Sequence, residues 1–106
     1  MPKRGDVILV SLDPSIGSEI RKTRPCLVVS PNELNDHLTT CIVAPLTTGG
    51  HSYPYRIPCS FKGKEGHVVL DQIRTVDRGR VVRTVGAIGE TTLQKVLAVL
   101  QEMFAR

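Results

Sequence analysis

A chain of 106 residues, 41% of them hydrophobic, carries enough apolar side chains for one core and too few for two. Fourteen Lys and Arg against ten Asp and Glu leave a formal net charge of +4, an excess that makes an anionic partner plausible without naming one. No apolar run reaches the ~18 residues of a membrane-spanning helix and no signal-peptide core opens the chain, so the expected location is the cytoplasm, away from any membrane.

The first apolar segment, residues 6–12 (DVILVSL), is rich in β-branched side chains and stops at the turn-opening pair Asp13-Pro14. Residues 17–23 then form a loop that crowds Arg21 and Lys22 against Arg24, at the start of a second strand, residues 26–30 (CLVVS). Residues 40–46 (TCIVAPL) read as a third strand ending at Thr47-Thr48-Gly49-Gly50. In residues 53–57 (YPYRI), Tyr53, Tyr55 and Ile57 alternate with Pro54 and Arg56, a pattern for an edge strand. Residues 67–71 (HVVLD) and 80–89 (RVVRTVGAIG) supply two more strands. Leu93, Val96, Leu97, Leu100 and Phe104 then change the period to that of a helix, with Thr91 and Gln94 as its capping box. No repeat or linker divides residues 1–106, which read as a single domain. The expected fold is mainly β or α+β, a small bent-sheet barrel closed by a C-terminal helix.

Three cysteines, Cys26, Cys41 and Cys59, show no C-x-x-C spacing, and His37, His51 and His67 show no metal-binding spacing. No metal and no cofactor are therefore expected. The chemistry points to the strand ends instead. Pro25 biases Arg24 toward an extended backbone, which fixes the direction of a guanidinium whose paired donors match phosphate oxygens. Lys22 and Arg21 add charge without that geometry. The bland reading of Arg24 is an ion pair with Glu19 or Asp71. Thr47 and Thr48 place hydroxyls at the exit of one strand, and residues 71–77 (DQIRTVD) place Asp71, Gln72 and Arg74 at the exit of another. If these exits gather on one rim, Arg24, Thr47, Glu19, Asp71 and Gln72 meet in a set suited to a phosphodiester and lacking the parts for acyl transfer.

The order RGDV, DP, GSE, RP-LVVS, VAPLTT and DQIRTVD, followed by a helix, resembles the MazF/PemK family of toxin endoribonucleases from bacterial toxin–antitoxin pairs. The resemblance runs from Arg4 to about Phe104. It implies an SH3-like barrel, a homodimer, and metal-independent cutting of single-stranded RNA through attack of the ribose 2′-hydroxyl on the adjacent phosphate. The products would carry a 2′,3′-cyclic phosphate and a 5′-hydroxyl. On matching motif positions Arg24 corresponds to the catalytic arginine and Thr47 to the catalytic threonine, while Ser18, Glu19 and Gln72 fall where relatives line the RNA groove. Arg21, Lys22, Thr23, Thr48, Asp71 and Arg74 are the further candidates for RNA contact. The inhibitor implied is a small antitoxin that lays an acidic segment across the groove.

Several points stay open at this level. The candidate general bases are the carboxylates Glu19 and Asp71, and Asp71 could equally hold a loop. Arg74, Arg78, Arg80 and Arg83 could extend the groove or form a solvated strand face. Two other classes compete with a ribonuclease: a toxin of the same fold that grips a protein target, as CcdB-type gyrase poisons do, and a noncatalytic RNA-binding barrel.

Overall fold

The computed structural model describes residues 2–14, 16–20, 22–50 and 53–106. Seven strands, β1 (Asp6–Ser11), β2 (Thr23–Val28), β3 (Thr40–Thr48), β4 (Arg56–Phe61), β5 (Lys64–Val69), β6 (Arg74–Asp77) and β7 (Val81–Ala87), make one antiparallel sheet. Helix α1 (Asn32–His37) joins β2 to β3, and α2 (Glu90–Met103) ends the chain. No helix is long and apolar enough to cross a membrane among the described residues.

The long strand β3 organises the sheet. One edge pairs with β2; the other pairs with β6 along its first half and with β5 along its second. Between the pairs Val43–Arg74 and Leu46–Val68, β3 advances three residues while its neighbour runs back through six. The surplus is the 3-10 turn Leu70–Gln72, a bulge set beside Pro45, which has no amide hydrogen for a ladder. Asp71 and Gln72 are thereby pushed out of the sheet.

The strands read as near-continuous apolar runs because both faces of the sheet are covered. Val7, Leu27, Ala44, Leu46 and Val68 point to one side, where Leu93 and Val96 of α2 pack on them. Their sequence neighbours Ile8, Cys26, Val28 and Val43 point to the other, where Val76 of β6 packs with them.

The expected bent sheet with a C-terminal helix is present, but the sheet is not closed: its order is β4-β5-β3-β2-β1-β7, with β6 joined to β3. Its two ends nevertheless approach. A Cβ added to Gly86 of β7 would lie 3.0 Å from Cζ of Phe61 at the end of β4, so a phenyl ring fills the seam in place of a ladder. Two register shifts between β1 and β7 supply some of the curl.

Other expectations change. Residues 53–55 form a turn rather than a strand, with Tyr55 at φ 67°, and β4 starts at Arg56. Residues 74–77 form β6, unanticipated because its only buried side chain is Val76. The Thr91–Gln94 capping box does not form: α2 starts at Glu90 behind Gly89, and Gln94 donates to Glu90 Oε1 at 3.4 Å. Phe104 lies past the helix end and is 70% exposed, so the packed stripe stops at Met103.

Candidate active site

The loop between β1 and β2 is shaped by side chains reaching its backbone. Glu19 Oε1 accepts the Ile16 amide at 2.6 Å, Asp13 Oδ1 accepts the Lys22 amide at 3.1 Å, and Gln72 Oε1 accepts the Ile20 amide at 2.9 Å. Arg74 donates to the Leu12 carbonyl at 3.3 Å, and Arg80 donates to those of Ser11 and Asp13. Arg78 does the same for Asn35 and Leu38 across the sheet. Arg74, Arg78 and Arg80 thus each donate to backbone carbonyls at or near the ends of β1 and α1. Ser18 sits exposed in the loop's turn, Lys22 is exposed at φ 67°, and Thr23 pairs with Ser11 at the start of β2. Arg21 lies outside the described residues.

Gln72 and Arg74 also line an open hollow of about 510 Å³ with Glu19, Ile20, Pro45 and Asp71. Asp71 makes a bidentate pair with Arg56, Nε to Oδ1 at 2.9 Å and a terminal nitrogen to Oδ2 at 3.0 Å. The Arg56 guanidinium also stands 5.2 Å from the Tyr53 ring centroid. The hydrogen bond from Arg56 holds the Asp71 carboxyl below the usual carboxylate range, and the same bond raises Arg56. A carboxylate so held is a poorer proton acceptor than a free one. Arg56 is thus a partner of Asp71, and Glu19 accepts from an amide of its own loop.

Arg24 lies on β2 opposite Val10 of β1 and is exposed. It stands two residues beyond Cys26, and Thr47 stands two beyond Pro45, the partner of Cys26 on β3. Alternation along the pleat turns Arg24 to the face of Cys26 and Val28, and Thr47 to the face of Cys41 and Val43, which is the same face. The guanidinium and the hydroxyl therefore leave adjacent strands on one side. Thr48, next along the strand, turns to the other face, and both threonines line a small slot with Pro25, Leu46 and Phe61.

Sequence reading passed over His67. It is the direct partner of Thr47 across the β3–β5 ladder, and its Nδ1 lies 2.8 Å from the Gly49 carbonyl oxygen. The pairing depends on Gly66: a Cβ there would fall 1.6 Å from the Thr47 carbonyl oxygen. The alternation in "HVVLD" marks a strand, but which strand faces it is a matter of register. Among the described residues, no three His, Cys, Asp or Glu side chains converge as a metal-ligand set.

A curled antiparallel sheet with this bulge and C-terminal helix places the molecule in a known structural class of small toxins. MazF from Deinococcus radiodurans superposes with a TM-score of 0.84 at 26% identity, covering 96% of this chain and 94% of that one. An endoribonuclease in complex with its cognate antitoxin from mycobacterial species has the same fold, with a TM-score of 0.80 at 24% identity over 96% and 93% of the two chains. Residues 3–104 match the family described as the PemK-like, MazF-like toxin of type II toxin-antitoxin systems, and the chain belongs to that family. Among its relatives are the endoribonuclease toxin MazF of Escherichia coli K12, 32% identical over 92% of this chain and 89% of that protein, and the endoribonuclease EndoA of Bacillus subtilis, 31% identical over 93% and 90%.

Proposed function

We infer that this protein is an endoribonuclease toxin that cuts single-stranded RNA in the cytoplasm, and that a cognate acidic antitoxin restrains it. The single observation that carries the chemistry is the placement of Arg24 and Thr47 on one face of neighbouring strands. Attack of a ribose 2′-hydroxyl builds negative charge on the nonbridging oxygens of a five-coordinate phosphorus, and donors already aimed there lower the barrier. Arg24 supplies the charged, paired donors and Thr47 a neutral hydrogen bond to the same phosphate. The reaction leaves a 2′,3′-cyclic phosphate and a 5′-hydroxyl and draws on no metal. The membership of the family and the names of its relatives support this reading.

Lys22, exposed beside Arg24, extends the positive surface along the loop, which suits both the RNA backbone and an acidic inhibitor segment. Glu19 and Ser18 border the path, and Gln72 acts mainly by holding the loop at Ile20. The working unit is a homodimer, as the family resemblance implies.

Purified protein incubated with a long RNA in EDTA is expected to give discrete cuts with cyclic phosphate ends. Arg24→Ala is expected to slow cutting by about 10² to 10³, the usual cost of one lost oxyanion donor. Replacing the nucleotide 5′ to a cut by its 2′-deoxy form is expected to abolish scission there. RNA bound without cuts would instead identify a noncatalytic binder, and full activity in folded Arg24→Ala would remove Arg24 from the site.

A further inference from the structure

A 2′-hydroxyl that attacks phosphorus must give up its proton, and neither protonated Arg24 nor neutral Thr47 can take it at pH 7. The two carboxylates already accept hydrogen bonds, Asp71 two from Arg56 and Glu19 one from the Ile16 amide. The sheet brings up one more group. Thr47 and His67 are opposite one another on β3 and β5, a relation that puts their Cβ atoms about 5 Å apart on one face. Arg24 on β2, Thr47 on β3 and His67 on β5 therefore form a row across three adjacent strands: guanidinium, hydroxyl, imidazole.

The tautomer of the ring is also set. A carbonyl oxygen only accepts, so the contact of 2.8 Å between Nδ1 and the Gly49 oxygen places the proton of the neutral imidazole on Nδ1. Nε2 then keeps its lone pair. A Cβ built on Gly50 would come 3.9 Å from Nδ1, so a glycine pair lies against this side of the ring. His67 itself is half-buried and lines an open hollow of about 550 Å³ with Pro58, Ser60, Glu65 and Gly50.

We propose that His67 is the general base of this site, with Nε2 taking the proton of the attacking 2′-hydroxyl. The inference rests on the endoribonuclease reading. As the 2′-oxygen bonds to phosphorus, its proton passes to Nε2; the bond from phosphorus to the 5′-oxygen breaks, and the 5′-oxygen takes a proton from water. The imidazolium then returns its proton to solvent. Among the described residues, the ionisable groups around the ring are few. Glu65 of β5 and the Cys59 thiol of β4 line the same hollow, and burial raises Cys59 so that it stays protonated. Helix α2 contributes the uncharged Thr92, β3 the Thr47 hydroxyl, and β2 Arg24 beyond Thr47.

The test is single-turnover cutting of one RNA from pH 5 to 9 by the wild type, His67→Gln and His67→Ala. The wild-type rate is expected to rise about tenfold per pH unit from the acid side and then level off, as a general base requires. Both variants are expected to lose that break and to cut about 10² times slower or worse at pH 7.5. Their melting temperatures and their affinity for a 2′-deoxy RNA are expected to match the wild type, which places the loss in the chemical step. A variant that cuts at the wild-type rate with the break intact overturns the role of His67 while leaving the nuclease standing. So does a loss explained by weaker binding or a lower melting temperature with the break retained. A wild-type protein that cuts nothing overturns both readings.

Discussion

Replacing Asp71 by Asn separates a structural carboxylate from a catalytic one. The two hydrogen bonds from Arg56, at 2.9 and 3.0 Å, have good bidentate geometry, but the side chains are 29% and 44% exposed, so solvent screens most of the Coulomb attraction. An exposed pair of this quality contributes about 0.5 to 1 kcal/mol, near the top of the surface range. In a chain of this size that is a fall in melting temperature of roughly 2 to 4 °C for Asp71→Asn at pH 7. The sign of the pH dependence follows from the depressed carboxyl. Because Asp71 binds its proton less readily folded than unfolded, its contribution is complete above the unfolded value of about 4 and is lost as pH falls through the lower folded value. Melting curves of the wild type, Asp71→Asn, Arg56→Gln and the double variant, followed by circular dichroism from pH 2 to 7, close the cycle. The curves of wild type and Asp71→Asn are expected to converge at the acid end, and Asp71→Asn to cut RNA within a few-fold of the wild type. A cycle with no coupling at pH 7, or a folded Asp71→Asn that has lost RNA cutting, would refute the structural assignment.

Three further outcomes follow from single contacts. Gly66→Ala sets a methyl group against the Thr47 carbonyl, with no side chain able to give way; a loss of about 3 kcal/mol is expected in urea unfolding, with RNA cutting lost alongside. Gln72→Ala removes the acceptor of the half-buried Ile20 amide and is expected to cost about 1 kcal/mol, whereas Gln72→Glu keeps an acceptor and recovers most of it; equal losses in the two would sink the clamp. Burial raises both the Cys26 thiol, to about 12 against the opposing charge of Arg74, and the Cys59 thiol, but Cys26 is fully enclosed and Cys59 only half-buried, so a thiol reagent at pH 8 is expected to label Cys59 slowly in the folded protein and Cys26 only on unfolding, as peptide mapping would read.

The strands that bury side chains were legible from the sequence. Residues 6–12, 26–30 and 40–46 carry β-branched runs between turn signals, and β1, β2 and β3 lie within a few residues of those bounds. The stripe Leu93, Val96, Leu97 and Leu100 likewise marked α2. Where burial is thin the pattern failed: β6 has one buried side chain and α1 only Asn35, so neither leaves a periodic trace. Arg24 and Thr47 stood out as chemistry placed at strand ends, and their equal two-residue offset from the paired residues Cys26 and Pro45 puts them on one side.

Local chemistry along the chain therefore specified the element types, the size of the core and the two functional groups most worth watching, because propensity, turn residues and charge act within a few positions. Cross-strand relations were decided only by the fold. That His67 lies beside Thr47, that Arg56 claims Asp71, and that Gln72 is spent on Ile20 are matters of register between segments up to 52 residues apart. A three-residue bulge at Leu70–Gln72 sets that register, and a shift by one residue would send each of these side chains to the opposite face.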